Sequence, residues 1–202
     1  MNRWLAWNCA WLLIAASVAP AAAQSRGAGL PPPHRFEIGA FGGGAWTDSR
    51  ESVITIGNTL QAVQADIDDS GLWGITADFN TKRGTQAEIF YQRQDSQLTV
   101  HGVGSIEPID TAVEYIQAGG LGGYPRGNVR PYGSLTLGAT HLTYDSPQVE
   151  DTWDFSMIFG LGAKAYLNEK LGVRFDARFP WTFTDGPDLY QFTLAGGAFA
   201  LF

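Results

Sequence analysis

The strongest constraint on the fold of this chain is a strict alternation of apolar and polar residues between Leu171 and Thr184. Every odd position in this stretch is apolar, whereas the even positions include the charged residues Arg174, Asp176 and Arg178. A period of two places successive side chains on opposite faces of a β-strand. The stretch therefore predicts a long strand with one apolar face and one charged face.

The same period recurs along most of the chain after residue 34, and it predicts eight strands. The predicted segments are Arg35–Trp46, Leu72–Phe79, Thr85–Gln94, Thr111–Gly123, Val129–Tyr144, Trp153–Ala165, Leu171–Thr184 and Tyr190–Phe202. Short turns alternate with longer loops between them, which is typical of transmembrane barrels. We therefore predict an all-β fold, an eight-stranded antiparallel up-and-down transmembrane β-barrel. The face assignment within the fourth segment stays open, because glycines obscure its alternation.

The alternation alone leaves open whether the apolar face points into a soluble lipocalin-like barrel or outward into lipid. The stretch from Leu171 to Phe183 spans about 40 Å of strand at roughly 3.3 Å per residue. With a tilt of about 40°, it rises about 30 Å, which is the thickness of the hydrocarbon core of a bilayer. A small soluble barrel has little interior room for so long an aromatic face. Length therefore favours the membrane, with the apolar face outward.

The first 34 residues differ in character from the rest of the chain. Arg3 precedes an apolar run from Trp11 to Ala19, and three alanines precede a predicted cleavage point after residue 23. This pattern predicts a secretory signal peptide over 1–23. A proline-containing periplasmic linker is predicted over 24–34, followed by the barrel over 35–202. The single cysteine, Cys9, falls within the predicted signal peptide.

Charged residues on the polar strand faces are expected to fill the barrel. Strand parity points four acids and four bases inward, so that the predicted interior polar cluster is nearly neutral. Its members are Glu37, Asp78, Glu88, Arg130, Lys164, Arg174, Asp176 and Arg178. An eight-stranded barrel is just wide enough for side chains, and charges removed from water must pair. We therefore expect an ion-pair plug, with a narrow ion or proton path as the alternative.

The long loops are acidic, and the whole chain has a net charge of −7. This charge argues against a nucleic-acid partner, because nucleic-acid-binding proteins have basic patches. Carboxylates can bind Ca²⁺ or Mg²⁺ and so link loops to lipopolysaccharide, and Asp66, Asp68 and Asp69 are weak candidate ligands. Their segment lacks the glycine and glutamate of an EF-hand loop. We therefore expect no specific metal site and no cofactor.

Two of the long loops contain strand-like sequence. Val53–Gln61 has a Gly-Asn turn between β-prone arms, and Gln97–His101 is similarly β-prone. Both segments are expected to extend the sheet beyond the membrane. A projecting sheet edge can pair with a partner strand, whereas a packed rim without a partner is the simpler alternative.

Catalytic chemistry has little support among the three histidines of the chain. His141 and Thr143 share one strand face near a long loop, which is similar to the His-x-Ser arrangement of the lipid A deacylase family. Thr replaces Ser here, and the carboxylates of Glu150 and Asp151 lie in the loop. A nucleophile needs a base within hydrogen-bond reach and a group that orients that base. We therefore expect a protein that is not an enzyme, with lipid A modification as the least favoured alternative.

Three segments resemble the outer-membrane β-barrel proteins related to the membrane domain of OmpA. They are Thr85–Arg93, Val129–Gly133 and Lys170–Arg174, and Phe202 resembles the terminal aromatic signal that the barrel-assembly machinery recognises. The resemblance covers Arg35–Phe202, without a peptidoglycan-binding domain after it. It implies a place in the bacterial outer membrane, in contact with lipid and lipopolysaccharide. We also expect a monomer.

Function is less constrained than fold, because barrels named only for this architecture share no catalytic residues. The expected role is structural or one of surface interaction, which includes membrane integrity, adhesion and lipid contact. The alternative is a channel for small solutes or hydrophobic ligands of the OmpW type. A lateral opening or an apolar interior pocket would favour the channel, whereas the charged inward faces argue against it.

Overall fold

The computed structural model describes residues 36–47, 50–56, 59–82, 84–101, 108–146 and 150–202, with side chains for all of these except 50–66, 82, 100 and 101. The predicted signal peptide, the predicted linker and Arg35 lie outside the described residues. The strands are β1 (Phe36–Thr47), β2 (Arg50–Ile56), β3 (Thr59–Ile67), β4 (Ser70–Lys82), β5 (Thr85–His101), β6 (Ile109–Gly122), β7 (Val129–Tyr144), β8 (Thr152–Tyr166), β9 (Leu171–Phe183) and β10 (Leu189–Leu201).

Eight of these strands close into an antiparallel barrel, which confirms the predicted fold class. The order around the barrel is β1, β4, β5, β6, β7, β8, β9 and β10, and β10 pairs with β1 to complete the ring. Closure pairs the backbone of every barrel strand on both sides, which a strand in hydrocarbon requires. Each predicted segment matches one barrel strand to within a few residues, except that β4 and β5 are longer than predicted.

The two remaining strands form a hairpin that extends the sheet. β2 pairs with β3 along its length, and Gln64–Ile67 of β3 pair with Leu98–His101 of β5. The far part of β5 therefore continues beyond the barrel, as the strand-like loop sequences predict. The Gly-Asn turn predicted at 57–58 lies outside the described residues.

The two ends of the barrel differ in the length of their connections. At the end that we call the short-turn end, β4 leads to β5, β6 to β7 and β8 to β9 through a few residues each. The first of these turns includes Gly84 with a φ of +87°, a conformation that side chains with a Cβ atom disfavour. The other end, which we call the long-loop end, has the longer connections and the β2–β3 hairpin. Outer-membrane barrels place short turns in the periplasm and long loops outside the cell.

The apolar strand faces point outward and the polar faces point into the barrel. Exposed outward side chains include Ile38, Trp73, Ile75, Ile89, Ile116, Leu135, Leu137, Trp153, Phe155, Phe159, Leu161, Phe175, Phe179, Tyr190 and Leu194. On β6, whose parity the sequence leaves open, Val113, Tyr115 and Gln117 are buried and Ile116 is exposed. No helix in the part of the chain that the structure describes is long and apolar enough to cross a membrane.

Candidate functional site

The interior charges are arranged as two facing rows. Glu37, Asp78 and Glu88 are register partners on β1, β4 and β5. Arg130, Lys164 and Arg174 are register partners on β7, β8 and β9. Like charges directly opposite each other on neighbouring strands repel. Each row is therefore unfavourable alone, and the attraction between the two rows acts across the lumen of the closed barrel.

Lys164 crosses the lumen and binds two carboxylates of the acidic row. Its Nζ atom donates to Glu37 Oε2 at 2.7 Å, to Asp78 Oδ2 at 2.6 Å and to Gln86 Oε1 at 2.9 Å. An ammonium group has three donors, and all three are used here. The Lys164 side chain is 0% exposed, so these bonds replace the water that it loses on burial.

Arg174 connects the remaining carboxylates. Its guanidinium donates to Asp176 Oδ2 at 2.8 Å, to Glu88 Oε2 at 2.9 Å and to Thr76 Oγ1 at 3.0 Å. It also contacts Asp78 Oδ2 at 3.4 Å, which joins it to the carboxylate that Lys164 binds. The Arg174 side chain is 0% exposed. Charge-assisted bonds of this kind are shorter and stronger than neutral ones.

Arg178 completes the network beside Arg174. Its Nη2 donates to both oxygens of Glu88, at 3.0 and 3.1 Å, and lies 3.4 Å from Asp176 Oδ1. The guanidinium carbon lies 4.2 Å from the centroid of the Phe90 ring, within the range of a cation–π contact. Seven predicted residues are thus joined, and we call this set the interior network: Glu37, Asp78, Glu88, Lys164, Arg174, Asp176 and Arg178.

Arg130 is the eighth predicted member of the cluster, and it differs from the others. It is buried near the short-turn end, with 6% of its surface exposed. Its Nε and Nη2 atoms have no hydrogen-bond partner among the described residues. The structure therefore places Arg130 inside the barrel beside Tyr166, which donates to Glu37, but Arg130 has no ion pair with the interior network among the described residues.

Neutral side chains that the sequence analysis did not single out complete the network. Tyr132 donates to Asp176 Oδ1 at 2.5 Å, Gln86 donates to Glu37 Oε1 at 2.8 Å, and Tyr166 donates to Glu37 at 3.3 Å. Each of these residues has the same parity as the predicted charge on its strand. The alternation pattern alone could therefore have predicted that their side chains point into the barrel. Gly162 leaves room for Tyr132, because a Cβ atom there would lie 2.6 Å from the Tyr132 hydroxyl.

The interior nearer the long-loop end is filled by neutral groups instead of charges. Tyr115 donates to Gln191 at 2.7 Å, and Gln117 donates to Ser156 at 2.7 Å. These polar pairs lie among buried apolar side chains, which include Phe41, Leu72, Phe90, Val113, Ile158 and Leu189. Both halves of the lumen are thus packed with side chains.

A cleft of about 720 Å³ opens at the long-loop end. It is lined by Asp68, Asp69, Asp95, Asp110, Asp145 and Arg93, together with several neutral residues. Of the weak metal candidates, Asp68 and Asp69 lie at this cleft, and the side chain of Asp66 lies outside the described residues. Among the described side chains, no group of three or more histidines, cysteines and acids could hold a metal ion.

The outward face has a second charged cluster, which includes the candidate catalytic pair. Glu114 on β6 is the carboxylate that sequence reasoning missed, because it lies 27 residues from His141 and only strand register brings them together. Glu114 Oε2 lies 3.1 Å from His141 Nδ1, and Thr143 Oγ1 lies 3.4 Å from the same nitrogen. A nucleophile–base–acid relay needs the hydroxyl and the acid on different ring nitrogens. This arrangement therefore lacks the relay geometry.

Phe202 lies at the short-turn end, where β1 meets β10. Its backbone N–H donates to the Phe36 carbonyl at 2.9 Å, and its ring centroid lies 6.1 Å from that of Phe36. The side chain is exposed on the outside of the barrel. Its role as an assembly signal stays a prediction.

The comparisons with known proteins agree with this architecture. A family described as the outer membrane protein beta-barrel domain matches residues 9–198. Neisserial surface protein A is 12% identical with a TM-score of 0.58, and the match covers 83% of this chain and 97% of that one. The N-terminal β-barrel domain of OprF from Pseudomonas aeruginosa is 16% identical with a TM-score of 0.52, over 84% and 98% of the two chains.

A third solved structure, the outer membrane protein AlkL in lipid bilayers, is 15% identical with a TM-score of 0.55, over 88% and 94% of the two chains. At these identities the similarities show the fold alone. The search of curated protein sequences found no match. The family match spans nearly the whole chain, and the outward apolar surface suits a protein surrounded by lipid. The chain therefore belongs to the outer membrane protein beta-barrel domain family, and it is a barrel of the bacterial outer membrane.

Proposed function

We propose that this protein is a closed, non-conducting barrel that anchors its acidic outer loops at the cell surface. Its role is then structural or one of surface interaction, through membrane integrity, adhesion or lipid contact. The observation that supports this proposal best is the interior network, in which Lys164 and Arg174 are both 0% exposed and bind carboxylates from the opposite wall. Buried side chains from both walls therefore meet in the lumen at that level.

A conducting channel needs continuous water or mobile ions through the lumen. The interior network opposes this because its charges bind each other, and separating a buried pair costs several kcal/mol. The packed aromatic and aliphatic groups nearer the long-loop end, which include Phe90 and Tyr115, add a second closed layer. The cleft, by contrast, opens at the long-loop end, which outer-membrane barrels place outside the cell, so that its acidic groups can meet external partners.

Conductance across planar bilayers separates the anchor from the OmpW-type channel. We expect the purified barrel, inserted with a known porin as the positive control in parallel chambers, to give no stable single-channel steps. A matched variant with a substitution on the outward face, Leu161→Ala, should also give no stable single-channel steps, because Leu161 lies on the exposed face away from the lumen. Stable steps from the unmodified barrel would contradict the closed interior and favour the solute channel.

A further inference from the structure

A row of polar residues interrupts the apolar outward face of the barrel. Trp73, Arg93, Glu114, His141 and Trp153 are successive register partners on β4, β5, β6, β7 and β8. The two tryptophans are 50% and 61% exposed, as expected for the aromatic residues that mark the membrane boundary. We call the three residues between them, Arg93, Glu114 and His141, the outward row.

Glu114 holds the outward row together. Its Oε1 atom accepts from the Tyr91 hydroxyl at 2.5 Å and from Arg93 Nη1 at 3.0 Å, and its Oε2 atom lies 3.1 Å from His141 Nδ1. The His141 ring stacks on Trp153, with centroids 4.2 Å apart and an angle of 13° between the planes. A carboxylate at Nδ1 favours the proton on that nitrogen, so Nε2 of a neutral His141 is left as an acceptor.

The outward row has no surplus of positive charge. Arg93 also binds Asp95 at 2.8 Å, so two carboxylates neutralise one guanidinium. An isolated phosphate is therefore a poor match, because it would approach a site with net negative charge. The groups left for a ligand are the remaining N–H donors of Arg93, the Nε2 acceptor of His141 and the Thr143 hydroxyl. This set matches a neutral group that has both a carbonyl oxygen and a hydroxyl or amide donor.

The neighbouring outward row indicates which class of molecule would present such a neutral group. The next outward row toward the short-turn end contains Ile75, Ile116 and Phe155, all about half exposed, which suits acyl chains. The outward row thus lies at the border between a surface that suits lipid acyl chains and a polar surface. At such a border, diacyl phospholipids present ester carbonyls, which only accept hydrogen bonds. Hydroxyacylated glycolipids present carbonyls together with hydroxyl and amide donors.

We propose that the outward row is a binding site for the acyl-linkage region of a hydroxyacylated glycolipid of the outer leaflet. Arg93 donates to a linkage carbonyl, His141 Nε2 accepts from a hydroxyl or amide of the lipid, and Glu114 is a positioning residue that orients both. This inference rests on the proposed role in lipid contact, and it does not depend on whether the lumen conducts, so lipid retention and conductance test the two proposals separately.

Native mass spectrometry of the purified barrel in detergent tests the proposal. The barrel is titrated with purified lipid A and, separately, with phosphatidylcholine, which has no N–H or O–H donor, and the lipid-bound fraction is measured. We expect retention of lipid A and little retention of the phospholipid. His141→Phe keeps a ring against Trp153 but removes the acceptor, so it should weaken lipid A binding about tenfold, as expected for one lost hydrogen bond.

Glu114→Gln should weaken binding to a similar extent, because an amide no longer fixes the proton on Nδ1. Tyr190→Phe, a matched change on exposed residue Tyr190 of β10, should leave binding unchanged. Faster migration of unheated protein on SDS gels verifies that each variant folds. Equal retention of phosphatidylcholine, unchanged binding by His141→Phe, or loss of binding in EDTA would overturn the proposal.

Discussion

The interior network and the outward row use the same chemistry in different surroundings. In each, a carboxylate accepts from a tyrosine hydroxyl and from an arginine: Asp176 from Tyr132 and Arg174, and Glu114 from Tyr91 and Arg93. The two arginines differ in exposure: the side chain of Arg174 is 0% exposed, whereas that of Arg93 is 38% exposed.

This difference in exposure determines how much the charges contribute to the stability of the barrel. In the lumen, buried charges depend on one another for compensation, so removing one ion leaves its partners with too little opposite charge. On the outer rim, water and lipid head groups can replace a lost partner, so exposed pairs contribute little to stability. The interior network should therefore determine whether the barrel is stable, whereas the outward row is free to interact with the surroundings.

The largest effect is expected from Arg174→Met, which should lower the free energy of unfolding by about 3–5 kcal/mol. The change removes the positive charge that binds Glu88 and Asp176, and it leaves the volume of the side chain nearly unchanged. Urea unfolding from phosphatidylcholine vesicles, followed by SDS-gel migration of unheated protein, measures the change. A loss below about 1 kcal/mol would mean that the buried charges behave like surface charges, and the comparison would fail.

A double-mutant cycle on Arg174 and Glu88 sharpens the comparison. We expect Arg174→Met combined with Glu88→Met to cost less than the sum of the two single changes, by about 0.5–3 kcal/mol. The reason is that the double variant removes both buried ions of the 2.9 Å contact, so neither is left alone. Unfolding midpoints of the four proteins in urea give the coupling. Additivity within about 0.5 kcal/mol would show that the two ions act independently.

The smallest effect is expected at the rim. Arg93→Met should lower the free energy of unfolding by about 1 kcal/mol or less, because Arg93 is partly exposed to solvent. The same urea titration measures it, and the loss should shrink further at about 1 M salt, where exposed charges are screened. A salt-independent loss as large as that of Arg174→Met would place the outward row in the same energetic class as the interior network.

Strand faces could be predicted from the sequence because alternation has a fixed period. The parity of β9 places Arg174, Asp176 and Arg178 on one face, and the structure has all three buried. The same rule failed to assign β6, because Gly119 and Gly120 have no side chains to mark a face. It also ended the predicted β5 segment at Gln94, because the next residues, Asp95, Ser96 and Gln97, are all polar and show no alternation, although they pair with β6.

The sequence by itself determined that this chain forms strands, that their apolar sides meet lipid and that eight charges point inward. These properties are local, since each depends on residues two positions apart. Only the tertiary structure decided which charges meet, because register and closure bring together residues far apart in the chain. Lys164 reaches Glu37 over 127 residues, while Arg130, its register partner on β7, lies beside Tyr166 without an ion pair among the described residues. Glu114 joins His141 for the same reason: strand pairing is a long-range choice that alternation cannot specify.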